Sequence, residues 1–170
     1  MSETQITKQE QLEAAERRLD RLFDWVGRSD TKFSIILGVD TGMLGFLATS
    51  APASASVPVI SIILAVVSVL LLVASLIFIY RGTYPRTRGP GASLIYFGSI
   101  AGEELANFRQ RFRGCDADDH LDDVLEQVHR NSEILDSKFK ELQRAYRCLL
   151  AAILPWASAL YLFGVFPPPV

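Results

Sequence analysis

From Val57 to Tyr80 the chain reads VPVISIILAVVSVLLLVASLIFIY, 24 residues without a charge. Nothing else in the sequence restricts the fold so severely. As a helix this run rises about 36 Å, enough to cross a hydrocarbon core with some tilt. It has almost no polar face of the kind that a helix in a water-soluble domain turns to solvent. Two other apolar runs accompany it. Cys148–Phe166 is uncharged over 19 residues but interrupted by Pro155, and Phe33–Ala51 holds one acid, Asp40. The expected fold is an all-α membrane protein with three transmembrane helices, at about 33–51, 57–80 and 148–166.

Charge fixes the expected orientation. All 17 Lys and Arg lie either before Phe33 (six) or within 81–147 (eleven), and the loop Ala51–Val57 and the carboxyl-terminal tail have none. Basic residues stay on the cytoplasmic side, so the amino terminus and the 82–147 region are expected there, with the carboxyl terminus outside. The first apolar run begins only at Phe33, behind a charged segment, which does not read as a secretory signal. The net charge of −2 gives no bulk attraction to nucleic acid. Cys115 and Cys148 have no metal or redox spacing and are expected as reduced thiols.

Residues 1–32 read as a cytoplasmic amphipathic helix, with Leu12, Leu19, Leu22, Phe23 and Val26 at three- and four-residue steps and Gly27 as a loosening point. It either packs on the loop region or lies on the lipid, with Trp25 near the boundary. Residues 33–81 form a transmembrane hairpin, in which Pro58 suits a first helical turn and Ser56 is available as its cap. After Arg81 comes the turn-rich GTYPRTRGPGAS, then LIYFGSIA (Leu94–Ala101), readable as a short strand or the start of a helix. EELANFRQRFRG reads as a helix stopped by Gly114. Asp118–Arg147 is a further helix, with Leu121, Leu125, Val128, Leu135, Phe139, Leu142 and Tyr146 as its stripe. Nothing breaks it before the third span, so the cytoplasmic region 82–147 should run directly into the helix 148–166, with a kink at Pro155 and a tail at 167–170.

Within the membrane the small residues stand out. Ser61, Ala65, Ser68 and Ser75 share one face of the second span, and Gly38 and Gly42 form a G-x-x-x-G pair in the first, with Gly45 beyond. Small residues let helices approach closely in lipid, so these faces are expected to pack together, within one chain or between chains of a homo-oligomer. Asp40 is the other polar element. Eight strongly apolar residues of the first span favour insertion by about 2.4–4.8 kcal/mol, and an acid near the centre opposes it by about 2.5–3.5 kcal/mol. The segment is marginal alone and should insert as a hairpin with its neighbour, Asp40 facing protein or water. It then either lines a pore or acts as an interhelix switch, or it hydrogen-bonds a Ser or Thr of a neighbouring helix.

The 82–147 region is electrically divided. Residues 81–113 carry six Arg against two Glu, and 114–126 carry six acids and no Lys or Arg. Arg109, Arg111 and Arg113, with Phe112 among them, suit a phosphate and a stacked base. They equally suit a solvated face answering the acids of DADDHLDD or lipid headgroups. The acids beside His120 are too few and too contiguous to specify a metal. No Ser/His/Asp set, zinc spacing, P-loop or dinucleotide glycine pattern occurs, so no catalytic residue, cofactor or metal site is expected.

SDTKFSIILGVDTGML at the first membrane boundary, SLIYFGSIA after the turn-rich loop and LEQVHRNSEILDSKFKELQRAYRCLL leading into the last span together resemble the Pycsar transmembrane effector family, over roughly residues 20–160. The resemblance implies a bacterial antiphage effector, encoded beside a pyrimidine nucleotide cyclase. Such an effector responds to cyclic CMP or cyclic UMP and damages the inner membrane, causing abortive infection. A region of 66 residues, helix-rich, is too small for the β-roll domain of other cyclic-nucleotide receptors. On this resemblance Arg109, Arg111 and Arg113 are candidates for the phosphate, and Tyr96 and Phe97 for the base. From another class, the chain reads as a non-catalytic accessory or structural subunit of a membrane complex; a membrane enzyme has no site to support it.

Overall fold

The first helix starts on a reciprocal cap. The Glu10 carboxylate accepts from the Thr7 backbone N–H at 2.8 Å and from its hydroxyl, while the Glu10 N–H donates back to Thr7 Oγ1 at 3.3 Å. This is the arrangement that a T-x-x-E sequence favours at a helix start. The computed structural model describes residues 7–52, 58–84, 91 and 93–165. Its elements are α1 (Lys8–Ser50), α2 (Val59–Thr83), α3 (Phe97–Ala101), α4 (Leu105–Gly114) and α5 (Ala117–Val165). Among the described residues there is no strand, and α1, α2 and α5 are each long and apolar enough to cross a membrane. The Ser56 cap, most of the turn-rich loop and the 167–170 tail lie outside the described residues.

Two of these helices are longer than the runs that announce them. α1 does not loosen at Gly27 and continues for 43 residues, about 64 Å at 1.5 Å per residue. α5 runs 49 residues, through Pro155 and without interruption from the charged region into the third apolar run. LIYFGSIA resolves as a lead-in and the short α3. The reason for α1's continuity is its register. Its least exposed residues are Leu12, Ala15, Leu19, Leu22, Val26, Ser29, Phe33, Ile36, Asp40, Met43 and Leu47, alternating steps of three and four without a slip. A single glycine costs only about 1 kcal/mol in such a helix, too little to break it. α5 carries the same three-and-four spacing through Leu121, Val124, Val128, Asn131, Leu135, Lys138, Leu142, Ala145, Leu149, Ala152, Trp156 and Ala159, with Gln127 and Glu141 buried beside it. A strict seven-residue repeat of this kind favours helices wound left-handedly about one another.

The α5 register differs from the stripe expected of its apolar residues. Leu125 and Tyr146 are exposed, and Asn131, Lys138 and Ala145 take the inward positions instead. Position in the repeat outweighs side-chain polarity here.

The chain forms two compact units, Met1–Arg28 with Pro85–Ser137, and Ser29–Tyr84 with Lys138–Val170. In the first, Ala15 and Leu19 of α1 bury against Val124 of α5, with Leu12, Ile95, Leu121 and Val128 around them. Lys8 pairs with Asp118 at 2.6 Å. The segment before α3 is tied to α5, since the Leu94 N–H donates to Asp123 Oδ2 at 2.7 Å and Gln127 Nε2 donates to Ser93 Oγ at 3.2 Å.

The second unit is a three-helix bundle, inverted relative to a protein dissolved in water. Ser61, Ser68, Ser75 and Asp40 are fully buried, while Val59 and Leu70 of α2 are 71% and 63% exposed. Only a hydrocarbon surround makes such an exterior stable. The protein is an all-α membrane protein. The bundle is close-packed where Phe33 of α1 meets Gly82 of α2: a Cβ at Gly82 would stand 2.2 Å from the Phe33 ring. The Trp156 indole N–H donates to the Met43 carbonyl at 3.0 Å, joining α5 to α1.

Candidate functional site

In the bundle the register of α1 forces Asp40 inward. Its side chain is 0% exposed, and among the described residues neither carboxyl oxygen has a hydrogen-bond partner. Ser75 of α2 and Cys148 of α5 neighbour it. Yet Ser75 donates its hydroxyl proton to the Ala145 carbonyl, 3.1 Å away. The other two inward serines are satisfied within their own helix, Ser61 on the Pro58 carbonyl at 2.6 Å and Ser68 on the Leu64 carbonyl at 2.7 Å. The hydroxyl protons of these three serines are therefore spent on backbone carbonyls, and what α2 leaves beside Asp40 is the Ser75 oxygen. A buried polar group left in this way costs about 1–3 kcal/mol.

The glycines of α1 lie elsewhere. Gly38, Gly42 and Gly45 are exposed, and a Cβ added at any of them would meet nothing within 4 Å. They are not what brings α1 and α2 together within this chain. α2 approaches through the opposite face of α1, its own inward side being Ser61, Ser68, Leu72, Ser75, Ile79 and Gly82.

A second buried acid, Glu141, was hidden in the sequence because it stands among the charges of an apparently solvated rod. Glu141 Oε1 accepts from Arg144 Nη1 at 2.8 Å and pairs with Arg81 at 3.6 Å, while Oε2 has no partner among the described residues. Lys138 of α5 pairs with Asp30 of α1. Both features extend the bundle beyond its apolar runs, to Ser29 on α1 and Lys138 on α5. The available signal was the repeat itself, which carries Lys138 inward in step with Leu142 and Ala145.

In the other unit the three candidate arginines part company. Residues two apart on a helix differ by about 200°, so Arg111 leaves the face that Arg109 and Arg113 share. Arg111 is half-buried and donates to Glu103 at 2.8 Å. Arg109 and Arg113 are exposed. Tyr96 and Phe97 stack on one another, ring centroids 4.8 Å apart and tilted by 53°. A cleft of this unit, about 1180 Å³, has Arg111 in its wall but also Glu103, Asp119, Asp122, Asp123 and Glu126. Five carboxylates against one paired guanidinium repel an anion. Cys115 lines the same cleft. Burial, followed by the charges of Asp119, Asp116 and Asp123, pushes its thiol up from the ordinary cysteine value, against the pull of Arg111. His120 approaches Glu16 at 3.8 Å. No group of three or more His, Cys, Asp or Glu among the described residues is placed to hold a metal ion.

Comparison with known proteins gives two findings. The family model described as the Pycsar effector protein domain matches residues 14–164. The Pycsar effector protein GmPycTM of Gulbenkiania mobilis is 24% identical over 192 aligned positions, covering 95% of this chain and 98% of that protein. No solved structure matches the chain.

Proposed function

The chain belongs to the Pycsar effector protein domain family, which makes it an antiphage effector of cyclic-nucleotide signalling, and from that premise we propose how it acts. Cyclic CMP or cyclic UMP, made by a partner cyclase, activates it, and it then impairs the integrity of the inner membrane and causes abortive infection. It works as a homo-oligomer with its amino terminus in the cytoplasm and its carboxyl terminus in the periplasm, without catalysis of its own.

The observation that carries this reading is Asp40, fully buried in a bundle whose outside is hydrocarbon-like, with no hydrogen-bond donor to either carboxyl oxygen among the described residues. Such a closed state is held together against a local cost, and any rearrangement that lets water reach the acid recovers it. α1 and α5 each supply residues to both compact units, so an event among residues 91–137 reaches the bundle along helices rather than through a loop. For the messenger, Arg109 and Arg113, one turn apart, can grip a phosphate together. Arg111 must first leave Glu103. Tyr96 and Phe97 offer the rings for a pyrimidine.

Expressing the chain with and without a pyrimidine cyclase, while following uptake of a membrane-impermeant dye, tests the proposal. Uptake is expected only when both are present. No uptake despite correct insertion would overturn it in favour of an accessory subunit.

A further inference from the structure

Three side chains that the repeat leaves off-register are not scattered. Ile35 of α1 and Phe139 and Tyr146 of α5, with Ile36 and Leu142 of the repeat at the base and Gln143 in the wall, line one largely apolar groove on the outside of the bundle, of about 380 Å³. That is within the range of cavities that take small ligands, about 300–1000 Å³. Ile35 and Tyr146 remain 61% and 52% exposed, so no lid covers the groove among the described residues. Lys32 closes one end, its ammonium 5.9 Å from the centre of the Phe139 ring.

Lys32 is also the last charge before the apolar run of α1 begins. The carboxylate nearest to it in sequence, Asp30, is taken by Lys138, and among the described residues no carboxylate pairs with Lys32. A largely apolar trough on the bundle's exterior that ends on a lysine with no counter-ion among the described residues is complementary to one class of molecule. The acyl chain lies in the trough and a headgroup phosphate meets the ammonium. Tyr146, half apolar and half polar, suits the same depth at the membrane boundary.

We infer that this groove is a binding site for an anionic phospholipid such as phosphatidylglycerol. The site needs only that the three apolar helices lie in a membrane, so it stands apart from the messenger and from the effector's opening.

The test uses the full chain in bilayers of equimolar phosphatidylglycerol and phosphatidylcholine, with the lipids that stay bound after gentle extraction counted by native mass spectrometry. One lysine near an anionic surface is worth about fivefold, so phosphatidylglycerol should be retained about fivefold over phosphatidylcholine. Lys32→Arg should keep that preference, and Lys32→Gln should bring it to unity with helicity unchanged. Ile35→Trp, which fills the trough, should lower retention of both lipids. Equal retention by the unaltered chain, or a preference that survives Lys32→Gln, would overturn the assignment. So would an Ile35→Cys variant that cross-links to a second copy in the bilayer, since the groove would then be filled by protein.

Discussion

Replacing Asp40 by leucine removes the one buried side chain, among the described residues, whose two oxygens both lack a hydrogen-bond donor. As a neutral polar group it costs the closed bundle about 1–3 kcal/mol. Insertion adds to it, since an acid near the centre of a span opposes membrane partition by about 2.5–3.5 kcal/mol. Asp40→Leu should therefore raise the melting temperature of the bundle in detergent or nanodiscs. If opening is what brings water to Asp40, the same 1–3 kcal/mol is withdrawn from the open state, whose population falls about 5–150-fold. Dye uptake in cells containing the cyclase should fall accordingly, with the amount of inserted protein unchanged. Asp40→Asn keeps a polar group of the same size at the same place. It should melt and leak much as the unaltered chain does. A leucine variant that melts lower, or leaks at the original rate, would refute the reasoning. An asparagine variant indistinguishable from leucine would refute its attribution to an unmet polar group.

Gly82→Ala should destabilise the bundle by about 1–3 kcal/mol, because the added methyl would stand 2.2 Å from a Phe33 ring that is itself buried; thermal melts read the loss, and Phe33→Leu should restore most of it. Cys115, whose thiol lies above the ordinary cysteine value through burial and the charges of Asp119, Asp116 and Asp123, should be alkylated by iodoacetamide more slowly than a free cysteine at pH 8. The rate should rise with pH as thiolate forms, and rise with salt as the acids are screened. Alkylation as fast as that of a free thiol would contradict that environment.

The long uncharged run of α2 and the small-residue face of Ser61, Ser68 and Ser75 were readable because each depends on residues close in sequence. The unbroken α1 was obscured by Gly27, which looks like punctuation until the repeat is followed through it. The α5 seam was misread for a related reason: apolar identity favoured Leu125 and Tyr146, whereas the repeat favours Asn131, Lys138 and Ala145. Those two exposed residues also belong to the surface, Tyr146 lining the groove that Lys32 closes. The pairing of Asp30 with Lys138 joins residues far apart in the chain, and nothing local announces it. For the arginines the spacing was sufficient, since two residues along a helix reverse direction. What the spacing does not show is Glu103, which engages Arg111 from the segment before α4.

Asp40 and the glycines Gly38, Gly42 and Gly45 lie on different sides of α1, one filled by the chain's own partners and the other bare among the described residues. A neighbouring copy can therefore draw up to the bare backbone of Gly38, Gly42 and Gly45 without unseating a single interior side chain. On the proposed function, crowding and unlocking are then separable events, and copies would gather in the resting membrane before any of them lets go.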